Sequence, residues 1–238
     1  MSTLFGPVVD GVVVLFKPSD GDHTSDLLAR FDVMQGVVRA ESFHLFSSRE
    51  IQYGLQEREM NQMISDFVKN VYSQKSRDVY AAVMVEYTDW SEPSGDLARR
   101  RQKAMDILSD ARWIAPQVKT AELHSNLRSQ SYFYEFLHQT QHGVFPEDFG
   151  CIHGQELPYV FGLPVAQSNT GIYGPRNYTD AEKQLSELVM MNWANFIESG
   201  DPNVASRPNQ RQRGAYRRIY DDIVWPRYDK QNQRHMTW

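Results

Sequence analysis

The segment Ser131–Leu137, SYFYEFL, alternates aromatic side chains along its length and gives the clearest strand signal in the chain. A strand this apolar needs cover on its faces, which places it centrally in a sheet. Val33–Val38, VMQGVV, is a second β-branched run bounded by loops, and Val12–Val14 is a weaker third. Between the two better strands the pattern is helical. From Gln56 to Tyr72 the residues Met60, Met63, Ile64, Phe67, Val68 and Val71 recur at spacings of three and four, which builds one buried face on an amphipathic helix. A short polar break at Ser73–Ser76 leads to a second helical stretch, Arg77–Glu86. Gly95-Asp96 then precedes another, through Leu97, Met105, Leu108 and Ala111, and Pro116 is placed to open a further helix to about Ser125. Late in the chain, Thr179-Asp180-Ala181-Glu182 has capping-box spacing ahead of Leu185, Leu188, Val189, Phe196 and Ile197, and Gly200-Asp201-Pro202 stops that helix. Strands separated by long helices define an α/β layer architecture with a mainly parallel sheet.

Composition closes off several functions. Lys and Arg number 25 against 30 Asp and Glu, a net charge of −5, and no basic stripe exists to follow a phosphate backbone, so nucleic acid is not an expected partner. The Arg99-Arg100-Arg101 triplet reads as a solvated helix face. Cys151 is the single cysteine, which removes an intrachain disulfide and every multi-cysteine metal site. Val12–Phe16 is far shorter than a membrane span and follows no basic region, so as written the chain carries neither a secretion signal nor an anchor. The polar stretch from Val204 to Gly214 reads as a loop, no flexible linker separates two complete sets of elements, and the chain is expected to form one domain.

Nucleophilic catalysis on an α/β sheet needs serine on a sharp strand-to-helix turn, the G-x-S-x-G pentapeptide, and none occurs. The phosphate-cradling GxxxxGK[ST], the dinucleotide GxGxxG and the zinc-binding HExxH are absent too.

Several separate motifs, in a fixed order, carry more. FGPVVDG at Phe5–Gly11, YTDW at Tyr87–Trp90, WIAPQVKTAELH at Trp113–His124, the SYFYEF strand, CIHGQELPYVFGLPV at Cys151–Val165 and NYTDAEKQLSELVMMNWANFIESGDPN at Asn177–Asn203 together resemble the C-terminal half of a cholinesterase-like, carboxylesterase type B domain. Within that superfamily they are most similar to the neuroligins. The resemblance implies a partial α/β-hydrolase fold over residues 1–238, the C-terminal part of one domain whose N-terminal half lies upstream.

Carried over by position, His153 in H-G-x-E matches the triad histidine, and Glu41 in GVVRAES matches the triad acid. An imidazole oriented by a carboxylate is the pair that accepts a serine proton. The serine they would serve belongs to the absent half, so the chain by itself is expected to be catalytically silent. What the resemblance implies instead is adhesion: neuroligins bind cell-surface partners, notably neurexins, with calcium bridging the two proteins. The loop that contributes to that surface reads Arg39-Ala40-Glu41-Ser42-Phe43 here, in place of the vertebrate Gln-Gly-Glu-Gly-Leu. Arg39 sets a fixed cation beside a calcium site and Ala40 restricts a backbone that glycine leaves free. A divergent partner is therefore as natural as a neurexin, and no other cofactor is implied. Family dimers form through a four-helix bundle, and Arg77–Glu86 matches one of its helices, with Val85 and Glu86 at seam positions. The vertebrate cysteine positions fall at Thr140 and Arg176, both lost together, and Asn177-Tyr178-Thr179 is a glycosylation sequon. The expected setting is the extracellular side of the plasma membrane. The enzymatic alternative, an ester hydrolase whose nucleophile lies upstream, stays open.

Overall fold

The computed structural model describes residues 8–15, 28–91, 95–127, 129–141, 143, 145–166, 177–204 and 223–238. They group into two compact units, Met1–Lys17 with Ala40–Pro116, and Pro18–Arg39 with Gln117–Trp238.

The second unit holds the sheet. Strands β1 (Val33–Val38), β2 (Ser131–Phe136) and β3 (Met236–Thr237) lie in that order, all parallel, with Val33 opposite Ser131, Val38 opposite Phe136 and Tyr134 opposite Met236. The aromatic strand is central, as its composition requires, and five of its six residues are buried. On one face Tyr132, Tyr134 and Phe136 meet Trp225, with edge-to-face centroid distances of 6.1 Å from Tyr132 and 6.0 Å from Tyr134. Trp238 closes the same cluster at 4.9 Å from Trp225. Gly36 on β1 makes this packing possible, because a Cβ there would overlap the Tyr134 ring that lies across it. Trp225 also donates its Nε1–H to the Phe133 carbonyl at 3.0 Å, which satisfies a buried polar atom in an apolar layer.

Over this layer pack a short helix α6 (Leu157–Val160) and the long helix α7 (Asp180–Ser199). The capping box expected at Thr179 is formed: the Thr179 hydroxyl accepts from Glu182 N–H at 3.2 Å, and the Glu182 carboxylate takes the Thr179 N–H at 2.7 Å. Gly200 ends α7 in the left-handed conformation. Beyond it, Asn192 and Asn195 both donate to the Pro202 carbonyl at 3.0 Å, so the turn after the helix is tied back to its own last turns.

The first unit is helical: α1 (Ser48–Tyr53), α2 (Glu57–Val71), α3 (Ser76–Glu86) and α4 (Leu97–Ser109). The periodic face of α2 buries Met60, Ile64 and Val68, and α4 supplies Ala104, Met105, Ile107 and Leu108 to the same unit's core. Both helices form where the spacing predicted them, although Val71 at the end of α2 is exposed and Ala111 is exposed beyond the end of α4.

Two local expectations differ. Val12–Val14 is no strand: its three backbone N–H groups turn around the Asp10 carboxylate at 2.9, 2.9 and 3.0 Å. Pro116 stands in the first turn of the next helix, as expected. Asp110–Ile114 forms a π turn that leads directly into α5 (Ala115–Ser125), and the wider turn accommodates a residue with no N–H to give. The arginine triplet is not uniformly solvated. Arg99 is exposed, but Arg101 is buried and its Nη1 donates to the Ile51 carbonyl, closing the C-terminal turn of α1. Triplet spacing puts successive side chains about 100° apart, so one of three must turn inward. The stretch expected as a loop after Val204 lies outside the described residues.

Candidate functional site

Glu41 follows β1 in the chain and belongs to the helical unit; His153 follows β2 and belongs to the sheet unit. Within the helical unit Ala40, Glu41 and Ser42 are all buried. The Ser42 N–H donates to the Ser109 hydroxyl at 3.1 Å, fixing the acid-bearing turn to the end of α4. His44 Nδ1 lies 3.2 Å from the Glu41 carbonyl, and the His44 ring stands edge-on to Trp113 with centroids 6.4 Å apart. Phe43, half-buried, begins the short 3-10 turn Phe43–Leu45. Of the loop's proposed partner contacts, Arg39 is exposed, whereas Ala40 offers no accessible side-chain surface.

His153 is exposed on a turn in which Gln155 N–H donates to the Ile152 carbonyl at 3.0 Å. Just before it, Gly150 adopts a φ of +66°, and the position of its missing Cβ lies 3.1 Å from Arg39 Cγ. The structure thus brings Arg39 beside the root of the histidine turn, a juxtaposition of residues more than a hundred positions apart that no local pattern reveals. Any larger residue at 150 would meet both an unfavourable φ and the Arg39 stem. Cys151 beside it is buried, with Sγ 3.7 Å from the Ile152 carbonyl. It lines a cavity of about 20 Å³, together with Thr140 and Gln155, with room for about one water.

The strongest polar network in the sheet unit was only half visible in the sequence. Glu182, whose capping role the spacing predicts, also accepts from Gln141 N–H at 2.7 Å, with His138 Nε2 at 3.4 Å and the Tyr159 hydroxyl at 3.5 Å. Tyr159 in turn pairs with Thr140 Oγ1 at 3.0 Å, so the side chain at the vertebrate cysteine position takes part in this network instead of a disulfide. Arg176 lies outside the described residues. Burial alone would raise the Glu182 pKa. The Thr179 and Gln141 N–H groups, then the Thr179 hydroxyl and His138, outweigh it and hold the carboxyl below its ordinary 4.5. Burial first, then the proximity of that carboxylate, pushes the Tyr159 hydroxyl pKa up despite the opposing bond from Thr140. This carboxylate therefore joins the start of α7, the loop after β2 and α6, the three pieces that surround the histidine turn in the chain.

On α3, Val85 and Glu86 are both exposed, on the side of the helix that also carries exposed Ala81 and Ala82. The YTDW segment that follows anchors itself by other atoms. Tyr87 donates to Asp110 Oδ2, and Thr88 Oγ1 accepts from Lys103 Nζ at 2.8 Å. Burial, then that Asp110 bond and charge, raises the Tyr87 pKa; burial lowers that of Lys103. Asn177 is exposed two residues before the cap of α7, with its sequon threonine serving as that cap.

The residues present do not fit a calcium ion held by this chain alone. The guanidinium of Arg39 is at the loop in question, and among the described residues no group of three or more His, Cys, Asp and Glu converges. Among them, too, no helix is long and apolar enough to cross a membrane.

A small parallel sheet with helices packed on it is an α/β arrangement, the kind on which the α/β-hydrolase class is built. The chain belongs to the carboxylesterase family, whose family model matches residues 1–238. It is similar to neuroligin-2 of Homo sapiens, with 32% identity over 245 residues that cover 98% of this chain and 28% of that protein. Neuroligin-3 of Mus musculus is 29% identical over 235 residues, again 98% of this chain and 28% of the relative. Neuroligin-1 of Caenorhabditis elegans is 26% identical over 240 residues, 96% of this chain and 30% of the relative. The chain thus spans less than a third of the length of the curated relatives it matches.

Proposed function

We propose that this chain is the C-terminal part of a neuroligin-like adhesion domain that works at the cell surface through protein–protein contact and does not hydrolyse esters. The observation that carries the reading is the similarity to neuroligins along 98% of the chain. The loop expected to face a partner presents Arg39 in the sheet unit, and its backbone is fixed in the helical unit by the Ser42–Ser109 bond. A fixed cation at that loop favours a partner surface carrying carboxylates, with contact that needs no bridging calcium. The exposed row Ala81, Ala82 and Val85 on α3 supports a homodimer seam, which Glu86 weakens unless it is paired across the interface. Asn177, exposed, fits a glycosylated extracellular protein.

The test uses the protein in its full cellular length. Cells displaying it are mixed with cells displaying candidate surface proteins, with and without a calcium chelator, and ester hydrolysis is assayed on the same material. Adhesion that survives chelation and is lost in Arg39→Glu, without esterase activity, supports the proposal. Ester hydrolysis abolished by His153→Ala establishes the second reading, in which Glu41 and His153 serve a serine supplied upstream. That reading draws on the retention of both residue types at the family's triad positions.

A further inference from the structure

In the helical unit a groove of about 630 Å³ runs along the N-terminal half of α2 and is closed on one side by Tyr80 of α3. Its volume is in the range of small-molecule sites. Two parallel helical rows line it, Glu57, Asn61 and Ser65 at successive spacings of four, and Arg58 with Gln62 beside them. These rows flank the buried face of Met60, Ile64 and Val68, so the groove has a firm floor and is not part of the core.

We propose that this groove binds a neutral, hydroxyl-rich ligand, a saccharide. Its lining is built of amides, hydroxyls and one aromatic ring, with no aliphatic side chain to receive an apolar ligand. One carboxylate, Glu57, and one guanidinium, Arg58, leave it without net charge. An anion gains nothing from the adjacent start of α2: Glu57 and Glu59 already occupy that first turn, and Glu59 takes the Gln56 N–H at 2.9 Å. A metal cation meets Arg58. The decisive atom is Asn61 Oδ1, which is shielded from solvent and has no hydrogen-bond partner. A buried amide oxygen left unsatisfied is uncommon, and the last torsion of asparagine is soft, so this acceptor turns readily to an incoming hydroxyl. Gln62, another lining residue, donates its Nε2 to Asp66 at 2.7 Å and carries an amide oxygen as a second acceptor type. Tyr80 supplies the flat apolar face on which a sugar ring's C–H edges stack. Burial, then the Glu57 charge, raises its pKa, so its hydroxyl remains a donor at neutral pH. The inference rests on residues of α2 and α3 alone and stands apart from the adhesion reading.

The experiment titrates the full chain with the methyl glycosides of mannose, galactose and N-acetylglucosamine, and with a methyl glucuronide as the anionic control, followed by ligand-observed NMR. The expected result is saturable, millimolar binding of at least one neutral glycoside, with the glucuronide weaker. Asn61→Ala and Tyr80→Ala each weaken it about tenfold. Alanine suits a helix better than asparagine, so far-UV circular dichroism of Asn61→Ala is expected to stay unchanged. Failure of all three neutral glycosides to saturate overturns the proposal. So does binding that neither substitution alters, or a preference for the glucuronide.

Discussion

The two units reach their stability by different means. In the sheet unit, several polar groups carried into the interior meet named partners: Glu182 meets Thr179 and Gln141, Ser186 the Tyr159 carbonyl at 2.9 Å, and Trp225 the Phe133 carbonyl. In the helical unit the core is mostly aliphatic, Leu55, Met60, Ile64, Val68, Met105 and Leu108, and polar anchoring is confined to helix ends, as with Arg101 on Ile51 and Lys103 on Thr88. Directional bonds in a dry interior tolerate little change, because removing one partner strands the other. Ridge packing of aliphatic side chains tolerates exchange of shape at constant volume. The difference teaches where variation is affordable: the outer rows of α2 and α3 are free to acquire recognition chemistry, while the layer around β2 is committed to holding itself together.

The largest effect separating the two should come from Glu182→Ala, which orphans the Thr179 and Gln141 N–H groups and lowers stability by about 3 kcal/mol or more in urea unfolding at pH 7. Its pH dependence follows from the depressed pKa. Because the folded carboxyl titrates below its ordinary 4.5, the unfolded chain binds the proton first, and folding stability falls as pH drops. The contribution is complete above the unfolded value and disappears as pH passes down through the folded one. The acid limb of the wild type's stability curve should therefore flatten in the variant, and an unchanged limb would show that Glu182 is not the group responsible.

Gly36→Ala should come next. The added methyl has no room beneath the Tyr134 ring, and overpacking of this kind costs about 1–3 kcal/mol, read as a lower urea midpoint with unchanged slope. Ile64→Leu in the helical unit conserves volume at a fully buried site and should cost less than about 1.5 kcal/mol. If Ile64→Leu proves more damaging than Gly36→Ala, the contrast between the units fails. The smallest change is expected for Val85→Lys on the exposed side of α3, within about 0.5 kcal/mol of wild type. Sedimentation sharpens that last point, since the same substitution should dissociate a dimer that uses this face and leave a monomer unaffected.

Much of this organisation could be read from the chain. The three-and-four spacing of Met60, Ile64 and Val68 fixed α2, the alternation in SYFYEF fixed the central strand, and Thr179 with Glu182 fixed the start of α7, because each signal lies within a few residues and reports a local period or a local bond. Family membership was legible for a similar reason, as motifs in order. Other features had no local signature. The turn of Val12–Val14 around Asp10 overrode a β-branched run through side-chain bonding to the backbone, and the π turn before Pro116 depended on backbone geometry that composition does not encode.

What the sequence determined by itself, then, is an α/β organisation, the longer helices and the two longer strands, and the family to which the chain belongs. Only the tertiary structure decided that Arg101 turns inward, that Arg39 packs at the root of the histidine turn, that Glu182 gathers His138, Gln141 and Tyr159, and that Asn61, beside a groove, keeps a shielded acceptor unused. The physical reason is separation along the chain. Periodicity and capping act over one or two turns, whereas burial and hydrogen-bond satisfaction are settled by residues tens of positions apart, whose meeting is fixed by how the layers pack.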